Sequence, residues 1–378
     1  MEHMVLNSAE LGHRVAQARR RAGLTQADLA RSISVNRSVL AKMETGNRRL
    51  SALELARVAE ALGERIEWFI EDTPPAIVSH RNVTDPGEPS PCIDVEVERR
   101  VRAVEFVARH DMEFRNKVKQ PPVFPLPGNK EEAEDLAREA RTIIGAQQEE
   151  ALTNLGTKVI RAGLLPFVVD LGTDTADAAS VLLANGAVAV VNGALRVGRR
   201  RLSLAHELGH LLVADEYTID WRVDGSTSRD FREQLIDRFA RSLLLPSRAL
   251  QEKWETWGES SNNGLRSATV RTASHFRVDM STLARRLGEL GLISGTQASQ
   301  IRTTKTTRAD IVKYDLVNSD ELYPGQLPRE YEAAVLRLFS TEKISEDRAL
   351  DLLMNTWDSA ELPNLPERNE SAIWQFVS

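Results

Sequence analysis

Two histidines and a glutamate stand close together in this chain as His206-Glu207-Leu208-Gly209-His210. Residues four apart share one face of an α-helix, so both imidazoles can reach a single metal ion. Such a pair suits Zn2+, and Glu207, beside the first ligand, points to the open side of that ion. There it can take a proton from a water held on the metal. The flanking Leu202, Leu204, Ala205, Leu208, Leu211 and Leu212 predict a buried helix. Two His and a Glu in such a helix need partners. The competing reading is a chance match, which is rare in a chain with only 7 His in 378 residues.

A catalytic zinc takes three protein ligands and a water. The acids downstream are Asp215, Glu216, Asp220, Asp224, Asp230, Glu233 and Asp237. Glu233 and Asp237 are four apart at the start of a second apolar helix, predicted over Leu235–Leu245 and ended by Pro246. One face of that helix offers a ligand, Glu233, and an acceptor, Asp237, to orient a ligand imidazole. The alternative for the pair is a solvated acidic face. Asp215 and Glu216 are the alternative ligands, although they follow the first helix too closely to fold back easily.

These stretches resemble the ImmA/IrrE family of metallopeptidases. The resemblance rests on Arg201-Leu-Ser-Leu-Ala-His-Glu-Leu-Gly-His210 and on Glu233-x-x-x-Asp237-Arg-Phe-Ala-x-x-Leu-Leu-Leu-Pro246, and it covers roughly Ala133–Leu292. Ile236 stands where the family has Ala, and Leu245 where it has Met. The resemblance implies a gluzincin-like zinc endopeptidase, with His206, His210 and Glu233 as ligands and Glu207 as catalytic acid/base. It also implies a protein substrate, often a repressor.

The elements that must position these residues follow from pattern. Glu131–Ala162 predicts two helices, separated at Gly145 and ended by Gly163. Leu164–Leu171 is a strand run. Ser180–Val197 predicts a hairpin or meander, with Asn185-Gly186 and Asn192-Gly193 as turn pairs. Strands ahead of such a helix commonly form the edge that takes an extended substrate. Arg199–Arg201 reads as a solvated run, or as a contact for acidic substrate. His275 and Tyr217 are weaker candidates for the site.

Leu11–Ile70 predicts five short helices. Gly23 stops the first, Thr25 caps the second, Asn36 caps the third, and Ser51 with Glu54 makes a capping box. Two of them, joined by the tight turn Ser34-Val35, form a helix-turn-helix. The stretch resembles the Cro/repressor-like (XRE) family through Gly23-Leu-Thr-Gln-Ala-Asp-Leu-Ala30, Val35-Asn-Arg-Ser-Val-Leu-Ala-Lys-Met-Glu-Thr-Gly46 and Leu55-Ala-Arg-Val-Ala-Glu-Ala-Leu-Gly63. Between Arg14 and Arg49 the bases are Arg14, Arg19, Arg20, Arg21, Arg31, Arg37, Lys42, Arg48 and Arg49, against Asp28 and Glu44. Positive charge thus gathers on the module that would meet phosphate. The resemblance implies that Gln26 and the loop Asn47, Arg48 and Arg49 touch the DNA backbone. It implies that Asn36, Arg37, Ser38, Ala41 and Lys42 face base edges. The competing reading is a helical protein-interaction module.

A chain of 378 residues with 42% hydrophobic and 28% charged residues has room for two or three packed cores. The net charge of −6 argues against an all-over nucleic-acid coat. Cys92 is the only cysteine, so no intrachain disulfide forms. No signal-peptide pattern or membrane-length apolar run is present, which predicts a cytoplasmic protein. Thr73–Pro91 is Pro-rich and reads as a linker. Trp357, Trp374 and Phe376 lie in a short acidic segment, as internal packing or as an anchor for a partner chain.

The fold class expected is α+β and predominantly helical, with a five-helix helix-turn-helix domain, a zincin-like domain with a small sheet, and a small helical tail domain. The expected divisions are 1–72, a linker and helical arm over 73–130, the metallopeptidase domain over 131–298, and a helical region over 299–378. The function expected is a DNA-binding regulator with a zinc-dependent endopeptidase that cleaves a repressor or partner protein. The alternative is a non-proteolytic repressor or antitoxin that senses or docks a partner through the zinc domain. Expected partners are double-stranded operator DNA, a protein substrate or cognate toxin, and a second copy of the chain, with no membrane.

Overall fold

The computed structural model describes residues 7–21, 24–62, 66–70, 79–81, 91–119, 121–172, 176–183, 185–213, 226–259, 264–316 and 321–365. The fold is α+β and predominantly helical, in two compact units, Met1–Pro75 and Ala76–Ser378.

The first unit holds α1 (Ser8–Arg21), α2 (Gln26–Ser32), α3 (Arg37–Glu44), α4 (Ala52–Leu62) and α5 (Ile66–Ile70). Thr25 and Asp28 satisfy each other's backbone at the start of α2 as a capping box. Ser51 and Glu54 do the same before α4, at 2.9 and 3.3 Å. Asn36 takes the cap position of α3, but its side chain makes no cap bond. The turn between α2 and α3 passes through Ser34 at φ 58°. Val15, Leu29, Leu40, Met43, Val58 and Phe69 form this unit's core. Gly23, expected to stop α1, lies outside the described residues.

The second unit begins with the short strand β1 (Ser79–Arg81), then α6 (Pro91–His110), α7 (Met112–Lys117), α8 (Lys130–Ile143) and α9 (Leu155–Val159). Strands β2 (Leu164–Val169), β3 (Ala178–Leu182) and β4 (Ala187–Asn192) lead into α10 (Val197–Val213) and α11 (Ser226–Leu244). Helices α12 (Ser247–Glu259), α13 (Gly264–Phe276), α14 (Met280–Glu289), α15 (Gly295–Thr303), α16 (Arg308–Tyr314), α17 (Arg329–Ser340) and α18 (Glu346–Leu352) follow.

The sheet order is β1-β3-β4-β2. β2 runs parallel to β4, and β3 is antiparallel to both β4 and β1. Gly186, at φ 80°, closes the β3–β4 hairpin, a left-handed conformation that glycine adopts freely. The second expected turn pair does not start another strand. Asn192 ends β4, and its buried side chain bonds Leu171 N, Gly172 O and Ala194 N before the chain enters α10.

Each sheet face has its own core. Ala178, Ala187, Ala189 and Val191 pack with Leu204, Leu208 and Leu212 of α10 and with α11. Val181, Val188 and Val190 pack on the opposite face with Val97 and Val101 of α6 and Tyr331 and Val335 of α17. Two buried faces account for strands that read as unbroken apolar runs. The linker and helical arm, 73–130, and the helical region 299–378 both contribute helices to the sheet's far side. The reason is physical: that apolar face would otherwise meet water. Asp111 and Arg337 join them at 2.9 and 3.1 Å. Trp357 packs against the same core and donates to Glu332 at 3.1 Å. Trp374 and Phe376 lie outside the described residues.

Candidate metal centre and helix-turn-helix surface

Helix α10 is almost wholly buried, with His206 and His210 only 3% and 6% exposed and Glu207 fully enclosed. Its glycine has a structural use. A Cβ on Gly209 would come within 2.8 Å of Phe239 and 3.0 Å of Ile236. The bare glycine lets α11 lie close against the histidine-bearing face. That approach brings Glu233 across to the two imidazoles. The ligand atoms of His206, His210 and Glu233 all lie within 4.8 Å of one another. His206 Nε2 and His210 Nε2 are 3.0 Å apart, and Glu233 Oε2 is 3.3 and 3.7 Å from them. Ligands at about 2.1 Å around a tetrahedral ion are separated by about 3.4 Å, so this triangle has the size of one face of a zinc tetrahedron.

Asp237, one turn further along α11, accepts from His206 Nδ1 at 3.0 Å. That bond fixes the tautomer and leaves Nε2 as the nitrogen directed into the triangle. Arg241 stands 3.7 Å from Asp237 and bonds Glu289, which anchors the second helix from behind. Burial opposes ionisation of Glu233, yet hydrogen bonds and charge from His206 and His210 hold its carboxyl well below the usual carboxylate range. The second helix starts at Ser226, earlier than the predicted Leu235, so Glu233 lies inside it rather than at its beginning. Apolar periodicity starts only near Leu235, so the pattern did not mark the helix's first turns. Asp215, Glu216, Tyr217, Asp220 and Asp224 lie outside the described residues.

Glu207 is held at one carboxylate oxygen by the sheet. Ser180 of β3 donates to its Oε2 at 2.5 Å, while Oε1 is buried without a hydrogen-bond partner among the described residues. Sequence reading missed Ser180. The available signal was a lone hydroxyl in the apolar run Ala178-Ala179-Ser180-Val181-Leu182, on the face that alternation turns towards the His206 helix. Among the strands ahead of this helix, β3 carries β1 on its outer side, with Ser79 paired to Ser180.

Of the three arginines before the motif, two are buried and the partly exposed third is paired. Arg199 pairs with Asp177 at 2.8 Å, and Arg200 is buried. Arg201, fully buried, pairs with Glu321 and donates to Leu152 O. His275 sits apart from the triangle, between Trp257 and Phe276 at ring distances of 5.5 and 4.9 Å.

In the first unit, Glu44 is the organiser. Its carboxylate takes Arg19 at 2.6 and 3.1 Å and Gln26 Nε2 at 2.7 Å, which ties α1, α2 and α3 together. Arg19 therefore belongs to the core rather than to the basic face. Asn36, Arg37, Ser38 and Lys42 line α3 as exposed side chains, with Ala41 partly exposed among them. Asn47 and Arg49 are exposed in the following loop, and Arg48 is paired with Glu54 at 2.8 Å.

Among the described residues no helix is long and apolar enough to cross a membrane. Residues 15–69 match the helix-turn-helix family model, and residues 155–288 match the model of the IrrE N-terminal-like domain. No curated protein matches the chain. Among solved structures, the chain is similar to the restriction-modification controller protein C.AhdI from Aeromonas hydrophila. The identity is 27% over 16% of this chain and 94% of that one, with a TM-score of 0.16. It is similar to a Mycobacterium tuberculosis transcriptional regulator at 19% identity over 49% of this chain and 51% of that one, with a TM-score of 0.32. For ComR from Streptococcus suis the identity is 13%, the coverages 93% and 88%, and the TM-score 0.17. The chain thus joins a helix-turn-helix segment of the XRE type to a domain of the ImmA/IrrE type.

Proposed function

We propose that this protein is a DNA-binding regulator whose second unit is a zinc-dependent endopeptidase acting on a protein partner. The observation that carries the reading is the triangle of His206, His210 and Glu233, with edges of 3.0, 3.3 and 3.7 Å, beside an enclosed Glu207. A bound Zn2+ would supply Lewis acidity, making water a stronger nucleophile and polarising the scissile carbonyl. His206, His210 and Glu233 would hold that ion, and Asp237 would orient His206. Glu207 Oε1 accepts a proton from the attacking water as its oxygen bonds to the carbonyl carbon. The same carboxyl returns the proton to the amide nitrogen as the C–N bond breaks. A structural zinc site has no use for such a base.

The first unit supplies the address. Arg37, Lys42 and Arg49 are exposed on and just after α3, where phosphate and base edges would meet a recognition helix. Asn36, free of a capping duty, is available to bases with Ser38 and Ala41. Gln26 and Arg48 reach the backbone from side chains already held by Glu44 and Glu54.

A second reading is favoured by one observation: β1 covers the β3 edge that an extended substrate would use. In that reading the protein is a non-proteolytic repressor or antitoxin that docks a toxin or other partner through this domain. Glu207→Gln separates the two. The variant should keep zinc, fold and DNA binding and lose cleavage of the neighbouring gene's product, leaving the target operon silent. Normal operon control by the variant, with no cleavage by either protein, would defeat the peptidase reading.

A further inference from the structure

We propose that Ser180 is a positioning residue for Glu207, an inference that rests on the peptidase reading. Ser180 is the hydroxyl residue of β3 on the face that also presents Ala178 to the α10 core. It is 5% exposed and stands opposite Ala189 of β4. Its Oγ lies 2.5 Å from Glu207 Oε2, the short end of an O–H to carboxylate bond. A carboxylate enclosed in an apolar core has a large desolvation cost, and this hydroxyl offsets it at one oxygen only.

The other oxygen is the informative one. Glu207 Oε1 is buried and has no hydrogen-bond partner among the described residues. Most buried polar atoms are hydrogen-bonded, so an open carboxylate oxygen asks for an explanation. Here one oxygen is clamped and the other is left open. The clamp stops the carboxylate from rotating about its last bond, so Oε1 keeps one direction. The clamp is attached to the central part of a sheet, between β1 and β4, and not to a loop. A proton carrier that must accept from water and then donate to nitrogen gains from such rigidity, because each transfer needs its partner within hydrogen-bond reach. Ser180 touches neither the triangle nor the reacting atoms. It acts through Glu207.

The test uses the full-length zinc-loaded protein with quenched-fluorescence casein as the probe, in wild type, Ser180→Ala, Ser180→Thr and Glu207→Gln. Ser180→Ala should lower kcat about 10–100-fold, as loss of an orienting partner does, with KM and bound zinc unchanged. Ser180→Thr keeps the hydroxyl on a residue suited to a strand and should recover most of the loss. A second readout needs no turnover. In metal-free protein, Ser180→Ala should shift the unfolding equilibrium about tenfold more when Glu207 is present than in a Glu207→Ala background. If wild type cleaves casein and Ser180→Ala matches its kcat, the positioning role is overturned and the peptidase reading survives. Threonine no better than alanine, or no coupling in the metal-free cycle, also overturns it. If wild type and Glu207→Gln both leave casein intact, the peptidase reading fails and takes the role of Ser180 with it.

Discussion

The two units place their candidate functional residues in opposite environments. On α3 they are exposed: Asn36, Arg37, Ser38 and Lys42 project from a small apolar core that they do not help to form. On α10 they are buried, and His206, Glu207 and His210 sit inside the helix that forms the core of their unit. An exposed side chain is solvated whether or not its ligand is present. A buried polar side chain must have its partners supplied by the fold. The candidate metal centre therefore needs a second helix and a strand to complete it, whereas the candidate DNA face needs only its own scaffold. The first unit has one buried exception, the Arg19–Glu44 pair, and it serves the scaffold.

The sharpest way to break this contrast is at the metal. His206→Ala together with His210→Ala should take zinc from about one per chain to none, since structural and catalytic sites alike depend on their ligands. Metal analysis of purified protein decides it, and full occupancy in the double variant would remove the site. Glu233→Gln should also weaken zinc strongly.

The next effect belongs to the first unit. Arg19→Ala leaves the nearly buried Glu44 without its main partner, with a cost of about 3–5 kcal/mol. Denaturant unfolding of the first unit measures it. Lys42→Ala should leave that stability within about 0.5 kcal/mol, as surface changes do, yet weaken DNA binding and reduce its salt dependence. Equal stability losses for both variants would erase the distinction between scaffold and contact residues.

Asp237→Asn is smaller, at about 10–100-fold in zinc affinity, because it disturbs the orientation of His206 rather than a ligand. Chelator competition reads this directly. An affinity equal to wild type would return Asp237 to a solvated acidic face.

The smallest effect tests whether the arm and the C-terminal helices belong with the sheet. Burial works against the Asp111 carboxylate, but the Arg337 guanidinium and the Phe114 amide hold its pKa below the ordinary value. A depressed folded pKa means the stabilisation is full above the ordinary carboxylate range and is lost as pH falls through the folded value. Asp111→Asn should thus cost about 1–2 kcal/mol at neutral pH, at the low end because Arg337 is about a third exposed. The penalty should shrink below the ordinary carboxylate range, near pH 3.8. A pH-independent penalty would show that the charge contributes nothing.

What the sequence determined by itself was local. Helix periodicity put His206 and His210 on one face, and the four-residue spacing put Glu233 and Asp237 on another. Thr25 with Asp28 and Ser51 with Glu54 marked helix starts because capping uses neighbours in the chain. Tertiary structure decided everything that depends on residues distant in sequence. It brought Glu233 across to the imidazoles, through a helix contact that Gly209 permits. It placed Ser180, twenty-seven positions before Glu207, within hydrogen-bond distance of it. It drew Arg200 and Arg201 out of solvent, where a run of three bases had suggested a solvated surface. It also closed the far side of the sheet with helices from both ends of the unit. The physical reason is the same throughout: dihedral preference and capping act over a few residues, while burial is a property of the whole packed chain, so no short pattern records which groups it will bring together.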